Sequence, residues 1–255
     1  QREKLIWEFP NIGKKAPEQE EKAFAYCEGY KEFLNVAKTE REFVREAVLR
    51  LKEAGYEEFE EGKIYQPGDK VYQINRKKAL LMSTFGKRPL EDGVRINVAH
   101  IDSPRLDLKP NPLYEKAEAA YFKTHYYGGI RKYQWATIPL AMHGVVILKD
   151  GTSMDICIGE KKGDPVFCVT DLLPHLAAQQ NERKLKDGIK GEELNIIVGS
   201  LPYPCEEEDS IKEPVKLLAL SILNERFGMT EKDFLRAEIE FVPAVKATDV
   251  GLDRS

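Results

Sequence analysis

The chain has 255 residues, 42% hydrophobic and 32% charged, with 39 Lys and Arg against 43 Asp and Glu. That composition supports a packed core in one or two domains and excludes a mainly disordered chain. A mixed-sign net charge of −4 argues against a nucleic-acid reader, and no apolar run approaches the ~20 residues that span a bilayer.

The opening residues, Gln1-Arg2-Glu3-Lys4, have no apolar stretch behind them, so no secretory leader is expected. Cys27, Cys157, Cys168 and Cys205 have no C-x-x-C spacing, which predicts buried, reduced thiols and a cytoplasmic location. In chain order, Ala23, Cys27, Tyr30, Leu34 and Ala37 recur at helical spacing and predict a helix over 18–38 with one apolar stripe. Thr39, with Glu42 three residues on, opens a second helix through a capping box. Phe43, Val44, Ala47, Val48, Leu51 and Ala54 line its inner face, and Gly55 closes it. Past Gly68-Asp69 the period changes to two, and 70–74, 79–83 and 94–99 read as strands. Helices followed by strands predict an α/β layer.

Pro104, Pro110 and Pro112 crowd the next segment. Proline does not continue a central strand, so a crossing between domains is expected there. Beyond it the chain is strand-rich. Strands at 145–148 and 154–158 flank Asp150-Gly151, a hairpin signal, and 166–169 and 194–198 add two more. Ser210 and Glu213 predict a capped helix ending before Gly228, with Ile211, Val215, Leu218, Ile222 and Leu223 on its inner face. Residues 235–242 form a last strand. The second region reads as a β-rich domain with a helix packed on it.

The segment that can carry chemistry is Val94 to Pro104. His100 ends its strand and Asp102 lies two residues on, so in extended chain the imidazole and the carboxylate share a face. Neutral imidazole is a good zinc ligand, and a carboxylate on its other ring nitrogen fixes tautomer and orientation. Alone, H-x-D is weak, since most histidines at strand ends are ordinary hydrogen-bonded residues. The acidic run 206–209 reads as a solvated helix cap rather than a cation loop. His125 and His143 have no partnered motif, and Gly128-Gly129 lacks the dinucleotide context.

The longer string His-Ile-Asp-Ser-Pro-Arg-Leu-Asp-Leu-Lys-Pro, His100 to Pro110, resembles the aspartyl aminopeptidase family of dinuclear zinc exopeptidases, which includes the fungal vacuolar aminopeptidases. Tyr127-Gly128-Gly129 with Trp135, the Gly144 to Lys149 strand, Pro174-His175-Leu176-Ala177 and the closing 247–253 segment agree in order, and the match is closest to the bacterial branch. The resemblance implies a catalytic α/β domain interrupted by a β-rich dimerisation domain. Residues 1–105 would begin the catalytic domain, 106–250 would be the insertion, and 251–255 would start the return.

The same resemblance implies roles. His100 is expected to hold one of two zinc ions, Asp102 to support His100 without being a ligand, and His175 to reach the neighbouring subunit's active site. There it would hydrogen-bond the scissile carbonyl and its developing oxyanion. The implied activity is release of single N-terminal residues from short peptides by metal-activated water, in a homodimer assembled into a tetrahedral dodecamer. One departure stands out: Ala136 to Leu140 replaces the charged Asp-Arg-Asp-Leu that follows the tryptophan in many members, so the family's acidic preference does not transfer. The family's other ligands lie beyond the segment matched here, so this chain alone is expected to be inactive and to bind zinc poorly. The alternative is a non-catalytic assembly module; a metal-free hydrolase would need a nucleophile motif that is absent.

Overall fold

The computed structural model describes residues 5–7, 16–205 and 211–254. The chain divides into two compact units, Gln1–Ala99 with Lys246–Ser255, and His100–Val245. Both edges fall a few residues earlier than the 105/106 and 250/251 edges drawn from the sequence. At the first, Pro104 packs beside Gly128 and a Tyr127–Asp102 hydrogen bond ties the segment ahead of Arg105 to the second unit.

In the first unit, α1 (Pro17–Val36) starts on a proline, whose missing N–H costs nothing at that position. Its apolar stripe is not covered: Ala23, Cys27, Tyr30 and Leu34 are all exposed. Helix α2 (Glu40–Glu53) follows at once, and the capping box is present. The Glu42 N–H donates to Thr39 Oγ1 at 3.3 Å, and the Thr39 N–H donates to Glu42 Oε2 at 3.1 Å. Val44 is its one buried apolar residue; the rest of the expected face is half-buried, apart from exposed Ala54. Gly55, at φ +82°, turns the chain out of the helix. The sheet runs β1 (Glu57–Glu58), β2 (Lys70–Asn75), β3 (Ala79–Thr84), with β1 parallel and β3 antiparallel to β2.

Residues 94–99 form no strand, although their alternation is regular. Val94, Ile96 and Val98 are 62%, 75% and 89% exposed. A strand needs a neighbour to take its N–H and C=O groups, and among the described residues of this unit none lies alongside.

The second unit is built on a seven-stranded sheet. Its strands are β4 (Arg105–Lys116), β5 (Ala119–Tyr127), β6 (Leu140–Ile147), β7 (Ser153–Ile158), β8 (Cys168–Val169), β9 (Ile196–Gly199) and β10 (Ala237–Pro243), in the order β7-β6-β10-β4-β5-β9-β8. Pro110 and Pro112 therefore mark no crossing but lie within the central strand β4, and Pro104 directly precedes it. Pro110 and Pro112 fall where the register with β5 slips between Leu108 and Leu113, beyond the residues that pair with β10. A strand tolerates proline at such an irregularity because no ladder bond is lost there. The β6–β7 hairpin turns at Gly151, φ +88°, as Asp150-Gly151 predicted.

Alternation across the sheet separates two faces. Tyr126, Leu106, Phe241, Met142 and Ile158 are register partners in one row, which is core. The next row holds His125, Asp107, Glu240, His143 and Cys157, on the opposite face. Helix α3 (Ala178–Asn181) is a single turn, and α4 (Pro214–Phe227) packs Val215, Ala219 and Leu223 into the core at four-residue spacing. Of the face expected for α4, Ile222 is 44% exposed, displaced by Ala219. The expected cap residue Ser210 and the acidic run 206–209 lie outside the described residues. The cap at the start of α4 comes from elsewhere: Glu115 Oε2, on β4, accepts from the N–H groups of Val215 at 2.9 Å and Lys216 at 3.0 Å. The four cysteines form no disulfide, and none is buried: Cys27, Cys157 and Cys205 are exposed and Cys168 is intermediate.

Candidate functional site

His100 lies in the irregular segment that precedes β4 instead of ending a strand. Its side chain is 84% exposed. Nδ1 lies 3.0 Å from the backbone carbonyl oxygen of Asp102 and 3.3 Å from Asp102 Oδ1. Both neighbours are acceptors, so Nδ1 carries the proton of the neutral ring and the lone pair sits on Nε2. The two groups of positions 100 and 102 do come together, and the main-chain oxygen is the nearer partner. The sequence pattern points only to the carboxylate.

Asp102 is held in turn. Tyr127 donates its phenolic hydrogen to Asp102 Oδ2 at 2.8 Å. That bond, with the residue's own backbone N–H and the His100 ring, holds the carboxyl below the ordinary carboxylate range against a small opposing effect of burial. Tyr127 ends β5 and is the register partner of Arg105 on β4. The Arg105 guanidinium carbon sits 4.1 Å from the centre of the tyrosine ring. Its Nε donates to Asp107 Oδ1 at 2.7 Å and lies 3.5 Å from Glu240 Oε1. Arg105 and Glu240 are both buried. Further along that row, His143 Nε2 lies 3.0 Å from Glu160 Oε1, the structural role expected of a histidine without a motif.

His175 lies in a 3₁₀ turn, Pro174–Leu176, and is exposed between exposed Leu173 and Leu176. It makes no hydrogen bond, ion pair or ring contact with the other described residues, His100 and Asp102 included. Trp135 and Ala136 are buried in the core, and Thr137, at φ +64°, turns the chain beyond them. Tyr127 and Arg105 are the residues that reading the sequence for chemistry missed. Tyr127 opens the Tyr-Gly-Gly motif, but its partner is set by strand register, which no local pattern shows.

Whether these groups hold a metal by themselves depends on the donors present. Among the described residues, no three His, Cys, Asp or Glu side chains converge where an ion could be held. A zinc site takes about four ligands. His100 supplies one ring nitrogen suited to that use, and no set of donors that would complete a site converges on it among the described residues.

Compared with known proteins, the chain falls first into a class: its relatives and structural neighbours are aminopeptidases. It is 49% identical to a probable M18 family aminopeptidase 1 of Clostridium acetobutylicum, over 98% of this chain and 54% of that protein. The crystal structure of the M18 aminopeptidase from Thermotoga maritima superposes with a TM-score of 0.89 at 45% identity, covering 98% of this chain and 54% of that one. The S. cerevisiae mApe1 dodecamer shares the fold at a TM-score of 0.63 and 19% identity, over 90% of this chain and 50% of that one. The family model for the aminopeptidase I zinc metalloproteases, M18, matches residues 33–255. The chain belongs to that family, and its mixed α/β fold is the fold of those structures. It spans about half the length of the relatives it matches.

Proposed function

We propose that this chain is the N-terminal part of a zinc-dependent aminopeptidase that releases single N-terminal residues from short peptides. The observation that carries the reading is the state of His100: an exposed ring whose Nδ1 faces two acceptors, which leaves Nε2 as the donor atom for a metal. In the complete protein, two zinc ions would supply the activated water and polarise the substrate carbonyl. This chain's part is to present Nε2 of His100 in a fixed direction, with Asp102 holding the ring. The remaining ligands would come from sequence outside the 255 residues, in keeping with the half-length match to the relatives.

His175 acts across a homodimer in this reading, hydrogen-bonding the scissile carbonyl of the partner subunit's substrate. Its exposure, and the exposed Leu172, Leu173 and Leu176 around it, suit a contact face. The fold shared with the mApe1 dodecamer supports a homo-oligomer, which we take to be the tetrahedral dodecamer. Cysteines without disulfides suit the reducing conditions of the cytoplasm, where we place the enzyme.

The test uses the full-length reading frame with aminoacyl-chromophore substrates and metal analysis. His100→Ala should remove one zinc and abolish turnover; His175→Ala should keep both metals, assemble normally and lose kcat. Unchanged turnover in His100→Ala would end the reading. The 255-residue chain should neither hydrolyse peptides nor bind two zinc ions tightly, and either behaviour would show that the site lies wholly within it.

A further inference from the structure

We infer that Tyr127 is a positioning residue: its hydroxyl fixes the Asp102 carboxylate and, through it, the orientation and tautomer of His100. The inference rests on the reading above and deepens it. Asp102 has two carboxylate oxygens with different tasks. Oδ2 accepts from the Tyr127 hydroxyl at 2.8 Å, and Oδ1 lies 3.3 Å from His100 Nδ1, beside the Asp102 carbonyl oxygen at 3.0 Å, so the carboxylate is the second of two acceptors on that nitrogen. An aspartate side chain this exposed turns about its last torsion unless something holds it, and turning moves Oδ1 away from the ring. The phenolic hydrogen bond is that hold.

The phenol is itself fixed from the sheet. Arg105 and Tyr127 are paired across β4 and β5, and the guanidinium lies over the ring at 4.1 Å. Arg105 is 7% exposed and its Nε is engaged by Asp107. Glu240 on β10, also buried, lies 3.5 Å away. A stacked, doubly countered guanidinium has little freedom, so its position is that of the central strands. Gly128, at φ +82°, then turns the chain against Pro104, where a Cβ on the glycine would meet the proline in ordinary contact. That turn keeps the end of β5 beside the 100–104 segment. The result is one connected line, from a buried ion pair through a stacked ring and a carboxylate to an exposed imidazole. It gives a residue on a bare irregular segment the rigidity of a sheet. Arg105, at the root of the line, is read as scaffold, since its removal would leave the buried Glu240 carboxylate uncompensated.

The test is Tyr127→Phe, which removes one oxygen and keeps the ring, the stacking and the strand pairing. On the 255-residue chain, histidine-ring 15N shifts are recorded at pH 8, above the ordinary imidazole range. The signals are assigned by His100→Gln. The original chain should show His100 as the Nδ1–H tautomer, and Tyr127→Phe should move both ring nitrogens toward averaged values as the Nε2–H form appears. An unchanged tautomer in a variant with native backbone amide shifts would overturn the inference. In the full-length enzyme the same substitution should lower zinc retention and kcat by about 10–100-fold, with KM moving less. Loss of KM alone would also count against it. If the unaltered full-length protein cleaves no peptide, the proposed function fails, whereas the tautomer experiment still decides the positioning role, so the two failures are distinct.

Discussion

The two units of this chain are built to different degrees of self-sufficiency. Residues His100–Val245 surround their sheet with a continuous core in which Leu106, Phe122, Leu140, Leu194, Ile196 and Phe241 are at most 1% exposed. In the unit of Gln1–Ala99 with Lys246–Ser255, the buried apolar side chains among the described residues are Val44, Val71 and Tyr72. The same unit exposes Tyr26, Tyr30, Leu81, Met82, Val94, Ile96 and Val98. Apolar burial drives folding roughly in proportion to area, so the second unit has the means to fold alone and the first does not. Polar links substitute in the first unit. Asp249 is bound by Lys31 at 2.6 Å and by Arg254 at 2.7 Å, and Asn35 accepts from the Ala247 N–H at 2.7 Å. The Arg254 pair is exposed on its cationic side and contributes little, whereas the Lys31 pair is half-buried. In this unit a full apolar stripe on one helix and a regular alternating segment are both left uncovered among the described residues, so its core is thin.

That contrast breaks first under excision. Residues 100–245 expressed alone should keep slow-exchanging amides in β4, β5, β6 and β10 and unfold cooperatively, whereas residues 1–99 alone should show no protected sheet. Protection in the second fragment would mean that its small core suffices. Within the second unit, Phe241→Ala is expected to cost about 3–5 kcal/mol by chemical denaturation. The ring sits among Phe122 at 5.9 Å and Phe167 at 5.2 Å, and both would line the cavity. A cost under about 1 kcal/mol would show that the core relaxes into the space.

The second unit also carries a defined acid limit. Asp233 is buried; burial alone pushes its carboxyl up, but the Thr230 N–H at 2.8 Å, the Thr230 hydroxyl at 2.7 Å and the Arg236 guanidinium outweigh it and hold it down. A carboxyl with a folded-state value below its unfolded ~3.9 stabilises the fold fully above that range. The contribution is lost as pH falls through the folded value. Asp233→Asn should therefore cost about 1–3 kcal/mol near neutrality and flatten the decline of stability below about pH 4. Equal acid sensitivity in the variant would assign that decline to other carboxylates.

How much of this was readable in advance follows the same division. Local chemistry was legible: the Thr39–Glu42 box, the Asp150-Gly151 hairpin and Gly228 closing α4 are formed by residues within a few positions of one another. Pairings between distant residues were not. Pro110 and Pro112 looked like a break because the pattern does not reveal that β4 carries a register shift there. The start of α4 is capped by Glu115, a hundred positions upstream of Val215, which no cap motif encodes. At the site, His100 and Asp102 were visible as a local pair, while Tyr127 and Arg105 join them only through the register of β4 and β5. The strand expected at 94–99 does not form, and the α1 stripe stays exposed, because a pattern says which face seeks cover and not whether a neighbour supplies it.

In the first unit the local device is worth more relative to the whole. Thr39→Ala removes the acceptor for the Glu42 N–H and the reciprocal geometry of the box, at a cost of about 1 kcal/mol. Read by amide exchange, the loss should appear in α2 while β4 to β10 remain unchanged. Thr39→Asn should restore most of it, since its side chain can accept the same hydrogen bond. Exchange that accelerates throughout the chain would show that the two units unfold as one.

The smallest expected effect on stability is the sharpest test of what the thin core of the first unit means. Ile96→Ser with Val98→Ser replaces two side chains that are 75% and 89% exposed, so the 255-residue chain should change by no more than about 0.5 kcal/mol. Exposed apolar residues on an unpaired, alternating segment also favour self-association through their edges, so the double variant should stay monodisperse at concentrations where the original chain aggregates. In the full-length protein the same pair should be costly, about 1–3 kcal/mol for each side chain that becomes buried there. A double variant that is neutral in both contexts would show that this segment faces solvent in the longer protein proposed above as well. The first unit would then be small by design, and the reason for its thin core would have to be sought in its ion pairs.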